Sequence, residues 1–234
     1  MLTKKLPETN EERINVLRAI LNQEELNEDG DKVLSMSELH ELRLFTTSFE
    51  GADFILTQAI IDRNKAQRLY DDLFKNAQMY VSHFIQVLLL TVIRNEIKSE
   101  FLVLYGFNEK NSEIPDLSTE EAILKWGENI MQGETERIYK RGIPLYNPAI
   151  AKVKVHYELF KEAIYSLTIY EKNLLRSQTG MKDLRKQADD YILNVWSKVE
   201  AYYYKYPQDE QTQRFRAYKI QLTPQKVRQL NVFD

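Results

Sequence analysis

Cysteine is absent from the 234 residues. That excludes disulfides, thiolate metal sites and a cysteine nucleophile, and it fits a reducing compartment, so a cytoplasmic protein is expected. Breakers are scarce too. Seven glycines and six prolines make about half the usual combined share of roughly 12%. Long uninterrupted elements follow, which favours helices. No long apolar run is present: the greasiest stretch, residues 87–93, falls far short of the ~18–20 residues that cross a bilayer, so no membrane span is expected. The opening MLTKKLPETNEER has no apolar segment behind its charges, so no secretory leader is expected either. Charge is nearly balanced, with a formal net of −3, which argues against a general nucleic-acid binder but leaves room for a local basic patch. Serine-hydrolase elbows and phosphate loops are missing, as is HExxH.

What the chain does have is apolar residues at helical spacing. In residues 64–97, Leu69, Leu73, Ala77, Val81, Phe84, Leu88 and Val92 recur three and four apart, giving one wide apolar face. This segment reads as the central helix around which the rest packs. Before it, Thr9 with Glu12 forms a capping box that opens a first helix ending by Asn27. The piece EELNEDGDKVLSM imitates a calcium loop only superficially, because Met36 stands where a bidentate carboxylate is required. Ser35 with Glu38 is a second capping box. The helix that follows has no glycine or proline between Ala52 and Tyr105. Run straight, it would be roughly 80 Å long at 1.5 Å per residue. That is too long for one compact domain, so a tight reversal is expected near Asp62, Arg63 and Asn64, with one continuous helix as the alternative.

Beyond residue 97, Phe101, Leu102, Leu104, Tyr105 and Phe107 suit a short capping helix ended by Gly106. Ser118 with Glu121 is a third capping box, opening a helix that should stop near Gly133. Asn147 and Pro148 suit the N-cap and first turn of another helix, broken at Thr179-Gly180. A last helix runs to Pro207. A short extended piece is expected over residues 215–222.

The expected fold is therefore all-α: an up-and-down four-helix-type bundle with short accessory helices in one domain, 1–234. The halves, about 1–117 and 118–234, look alike and suggest two duplicated helical hairpins. At an offset of about 118, Leu73 falls on Tyr191, Ala77 on Val195, Val81 on Val199 and Phe84 on Tyr202. YVSHFIQVLLLTVIRNEI with EFLVLYGF, and GIPLYNPAIAKVKVHYELF, resemble a group of uncharacterised all-helical bacterial proteins of unknown function. The resemblance spans most of the chain. Its motifs are ones of packing and capping, so it implies a fold and no activity.

Three histidines exist: His40, His83 and His156. A di-iron bundle site needs glutamate three residues before a histidine; Ser37, Tyr80 and Val153 stand there instead. His40 and His156 remain as pocket candidates, should they meet across a symmetric bundle. The paired acids, such as Asp71-Asp72 and Asp189-Asp190, read as solvated helix faces, and no metal, cofactor or catalytic residue is assigned. Tyr202, Tyr203, Tyr204 and Tyr206 point in several directions on a helix and offer either an interaction surface or packing at the bundle edge. Arg214, Arg216, Lys219, Lys226 and Arg228, interleaved with Phe215 and Tyr218, form a basic tail. It could contact a polyanion or dock on an acidic face of the bundle. The function expected first is a non-enzymatic interaction or scaffold protein, contacting a protein partner or itself. Polyanion binding through the tail, and a small-ligand or enzymatic site between helices, are the alternatives.

Overall fold

A computed structural model describes residues 2–28, 31–108 and 113–224. The chain is all-α, as its composition predicts. Helix α1 is Asn10–Leu26, α2 Met36–Ile93, α3 Glu120–Tyr139, α4 Ile150–Tyr203 and α5 Gln208–Ala217, with a 3-10 helix at Ser99–Tyr105. The other regular elements are two three-residue strands, β1 Leu2–Lys4 and β2 Leu222–Pro224, paired antiparallel.

The expected reversal at Asp62, Arg63 and Asn64 is not there. Helix α2 runs unbroken for 58 residues. Neither is α4 broken at Thr179-Gly180; it runs for 54. The physical reasons are the same in both. Asp, Arg and Asn in a helix interior cost at most ~0.7 kcal/mol each and a lone glycine about 1, too little to end a helix whose flanks are both packed. The Thr179 hydroxyl also bonds back to the Leu175 carbonyl at 2.8 Å, leaving the helix intact. The length objection dissolves because the chain divides into two compact units. Unit 1 is Met1–Ala59 with Leu174–Asp234, and unit 2 is Ile60–Asn173.

Unit 1 buries Leu17 and Ile20 of α1, Leu42 and Phe49 of α2, and Ala188, Ile192, Trp196 and Val199 of α4 in one core. Unit 2 buries Ala77, Phe84, Ile85 and Leu88 of α2, Tyr105, Ile123 and Ile130, and Val153 and Phe160 of α4. Along the two long helices, core positions of one unit match core positions of the other. Leu42 and Phe49 correspond to Val153 and Phe160; Ala77, Val81, Phe84, Ile85 and Leu88 correspond to Ala188, Ile192, Val195, Trp196 and Val199, all at one constant spacing and all buried. The offset inferred from sequence placed Ala77 on Val195 and not on Ala188. The two spacings differ by about two helical turns, a shift that keeps every residue on its own face.

Local signals were mostly legible. Thr9 and Glu12 form the full capping box, and Gly106 ends the 3-10 helix at φ 81°. Four details differ. The N-cap of α3 is Thr119, which accepts from the Ala122 amide, while Ser118 bonds Asp116. Gly133 does not stop α3 but lies inside it, where a Cβ would meet the Leu104 carbonyl and the Tyr105 ring at 2.7 Å. Pro148 lies in a turn with a cis bond to Asn147, and α4 begins at Ile150. The tail expected to be extended over 215–222 is helical through Ala217.

By length and composition α2 could cross a membrane, the one such helix among the described residues. Its apolar C-terminal half, however, is core: Ala77, Val81, Phe84, Ile85 and Leu88 are fully enclosed within unit 2.

Candidate functional site

Each unit is tied together by a buried carboxylate. In unit 2, Glu134 is fully buried. It accepts from the Tyr105 hydroxyl at 2.5 Å, from the Leu145 amide at 2.9 Å and from the Arg137 guanidinium at 2.9 Å. Arg137 also donates to the Tyr105 oxygen and to the Ile143 carbonyl. Burial, then the Glu134 carboxylate, pushes the Tyr105 phenol well up. For Arg137 burial acts downward, and its bonds to Glu134 and Tyr105 outweigh it, so the guanidinium is held charged. In unit 1, Glu24 does the equivalent work. It accepts from the Tyr218 hydroxyl and from the amides of Val33 and Leu34. Here Asn27 takes the place of Arg137, donating to the Tyr218 oxygen at 3.0 Å. A carboxylate enclosed in protein persists only when its lone pairs are met, and both networks meet that condition.

The unit 2 network shapes a cleft. After α2 the chain turns at Asn95, φ 60°, with the amides of Glu96 and Ile97 both reaching the Thr91 carbonyl. After α3 it turns at Arg141, φ 67°, and the loop behind is held by the bonds from Arg137 to Ile143 and from Leu145 to Glu134. Between these two turns lies a cavity of about 690 Å³. Val87, Ile97, Phe101 and Leu145 give it an apolar wall, while Lys98, Arg141 and Glu96 give it charge. No spacing in the sequence advertised this cleft, because its walls come from the end of α2, the 3-10 helix and the loop behind α3, which share one core but are separate in the chain.

A second surface lies farther along the same unit. Ile60, Ile61 and Leu69 of α2, and Tyr165, Ile169 and Tyr170 of α4, are large apolar side chains left exposed, Leu69 at 55% and Tyr165 at 70%. Leu69, Ala66, Ala163 and Tyr170 line a shallow groove there together with Asp62 and Lys65.

The residues singled out from sequence are placed as follows. His40 belongs to unit 1 and is exposed; His156 belongs to unit 2 and is half-buried. His156 stacks on Tyr80 with ring centres 3.9 Å apart. It stands where unit 1 has Phe45 against Tyr191 at 4.7 Å, so it fills a ring-packing position. Its Nδ1 is buried without a hydrogen-bond partner. Burial, then Lys152, pushes its pKa down, which keeps the ring neutral. Of the tyrosine run, Tyr203 is core and Tyr204 is exposed at 83%. Tyr202 and Tyr206 are half-buried, their ring centres 6.3 Å apart. Within the basic tail, Arg214 donates to Asn27 at 3.1 Å and sits over the Tyr203 ring. Phe215 packs on the unit 1 core and Tyr218 is fully buried. Arg216 is exposed, and Lys219 borders a cavity of about 180 Å³ beside Lys5 and Trp196. Lys226 and Arg228 lie outside the described residues. Among the described residues no group of three or more His, Asp or Glu is placed to hold a metal ion.

No family model, no curated protein and no solved structure matches the chain. What can be said of function rests on the geometry.

Proposed function

We propose that this is a non-enzymatic interaction protein of the cytoplasm that associates with a second copy of itself through the exposed seam of unit 2. The supporting observation is the groove lined by Leu69 and Tyr170, flanked by further exposed aliphatic and aromatic residues. Contiguous apolar surface on a soluble protein is costly unless something covers it. Its lining residues, Asp62, Ala66 and Leu69 on one helix and Ala163, Ser166 and Tyr170 on the other, recur at helical spacing. That is the form of a groove that takes another helix. One acid and one base, Asp62 and Lys65, border it. A face of balanced charge does not repel its own copy, and a two-fold pairing places the same patch on both sides.

Sedimentation equilibrium tests the reading. The full chain should self-associate, and Leu69→Glu should return it to monomer with unchanged helical circular dichroism. A wild-type chain that stays monomeric at every accessible concentration overturns it.

A further inference from the structure

The two units differ at one corresponding place. At the spacing that relates Phe49 to Phe160 and Ala77 to Ala188, Thr91 of α2 corresponds to Tyr202 of α4. In unit 1 the Tyr202 side chain reaches from its helix to the loop behind α1, where its hydroxyl donates to Asp31 at 3.2 Å. Burial, then that aspartate, pushes the phenol up to about 12. Its ring packs against Tyr203 at 4.9 Å and lies under the Lys205 ammonium at 4.8 Å. A phenol thus bridges the long helix and the loop. In unit 2 the corresponding side chain is too short to do so. The Thr91 hydroxyl turns back on its own helix, to the Leu88 carbonyl at 2.7 Å, and the space in front of it is the cavity of about 690 Å³. At the same spacing Asp31 falls on Gly142, which carries no carboxylate, and Arg141 beside it lines that cavity.

We propose that the unit 2 cleft binds a small amphipathic anion that occupies the place Tyr202 fills in unit 1. The apolar body lies against Val87, Ile97, Phe101 and Leu145. The anionic head, a carboxylate or phosphate monoester, faces Arg141 and Lys98. No aspartate stands here to accept from a phenol, and the cleft presents Arg141 and Lys98 instead, so the bound head must be an acceptor. Arg137 also lines the cleft, but its Nε and Nη2 are committed to Glu134, Tyr105 and the Ile143 carbonyl, so the head is assigned to Arg141 and Lys98. Glu96 also borders the cleft and disfavours a second negative charge on the body. The volume lies within the ~300–1,000 Å³ usual for small-molecule sites. The proposal is independent of self-association, since Leu69 and Tyr170 are not part of this cleft.

The experiment is calorimetric titration of the full chain with decanoate, decyl phosphate and decyltrimethylammonium, each below its micelle-forming concentration. Saturable binding of either anion, about tenfold or more tighter than the cation, is expected; which anion binds tighter identifies the head. Thr91→Tyr, which copies the residue of the other unit, should abolish binding while leaving the circular dichroism unchanged. Arg141→Asn, chosen because asparagine tolerates the left-handed backbone found there, should weaken the anions about tenfold and leave the cation unaffected. No saturable binding of either anion overturns the proposal, as does equal binding of the cation. So does a folded Thr91→Tyr that binds decanoate like the parent. Should Thr91→Tyr fail to fold, Arg141→Asn decides: unchanged anion affinity overturns the proposal.

Discussion

Replacing Glu134 by alanine should be among the most damaging single changes in unit 2. The carboxylate and its partner Arg137 are 0% and 4% exposed at their side chains, so solvent screening does little to soften the loss. Alanine at 134 leaves the guanidinium charge without its counter-ion, and the Tyr105 hydroxyl and Leu145 amide without their acceptor. Breaking a buried pair from one side costs about 3–5 kcal/mol. Tyr105→Phe, which removes one neutral donor from the same carboxylate, should cost less, about 1–3 kcal/mol. The double change Glu134→Leu with Arg137→Met should recover much of the loss, because no uncompensated charge remains. The two tryptophans make a clean assay: Trp126 packs in unit 2 and Trp196 in unit 1. With Trp196→Phe as background, urea unfolding followed by Trp126 fluorescence reads unit 2. A loss below about 1 kcal/mol for Glu134→Ala, or additive losses in the double variant, would refute the reasoning.

Glycine substitutions should divide by site. Gly51→Ala and Gly180→Ala, with open space around each Cβ, should raise thermal stability by up to ~1 kcal/mol; Gly133→Ala, with two contacts at 2.7 Å, should lower it by about 1–3. A melting series in which all three move together would sink that distinction. Glu38 is held at about 2 by the Lys198 ammonium and by the amide and hydroxyl of Ser35. A depressed carboxylate stabilises above its ordinary value of 4.5 and loses that contribution as pH falls toward 2. Glu38→Gln should therefore be less stable than the parent at neutral pH and equal to it near pH 2; a gap that widens on acidification would contradict the assignment. Thr9→Ala removes the hydroxyl that accepts from the Glu12 amide and should cost about 1 kcal/mol in unit 1, read by Trp196 fluorescence.

Local chemistry was legible in the sequence where one short segment decides it. The Thr9 box, the Ser35 start and the Gly106 turn follow from neighbours within four residues. So does the all-α class, from sparse breakers and helical spacing. What was illegible depends on partners far along the chain. Asp62, Arg63 and Asn64 permit a turn, but whether one forms is settled by where the two ends of α2 are packed. Gly133 resembles a stop, and only the Tyr105 ring against it shows that it is a contact. Glu24 and Glu134 are ordinary acids in the sequence. Burial became intelligible only once Tyr218 and Tyr105 were seen donating to them from nearly 200 and about 30 residues away. The tail reads as basic, with docking on the bundle or contact with a polyanion both open; only its partners, Asn27 and Tyr203 for Arg214 and Glu24 for Tyr218, show which of its residues are docked. The halves resemble each other in pattern, but any shift of two helical turns preserves the apolar face, so pattern alone does not choose a register.

The most direct test of self-association uses the missing cysteines. Leu69→Cys and Tyr204→Cys each introduce one thiol, the first in the seam of unit 2 and the second at an exposed tyrosine of unit 1. The rate of maleimide labelling at position 69 should fall as protein concentration rises, while the rate at 204 stays constant. Labelling that is independent of concentration at both positions, or that slows equally at both, would contradict the account.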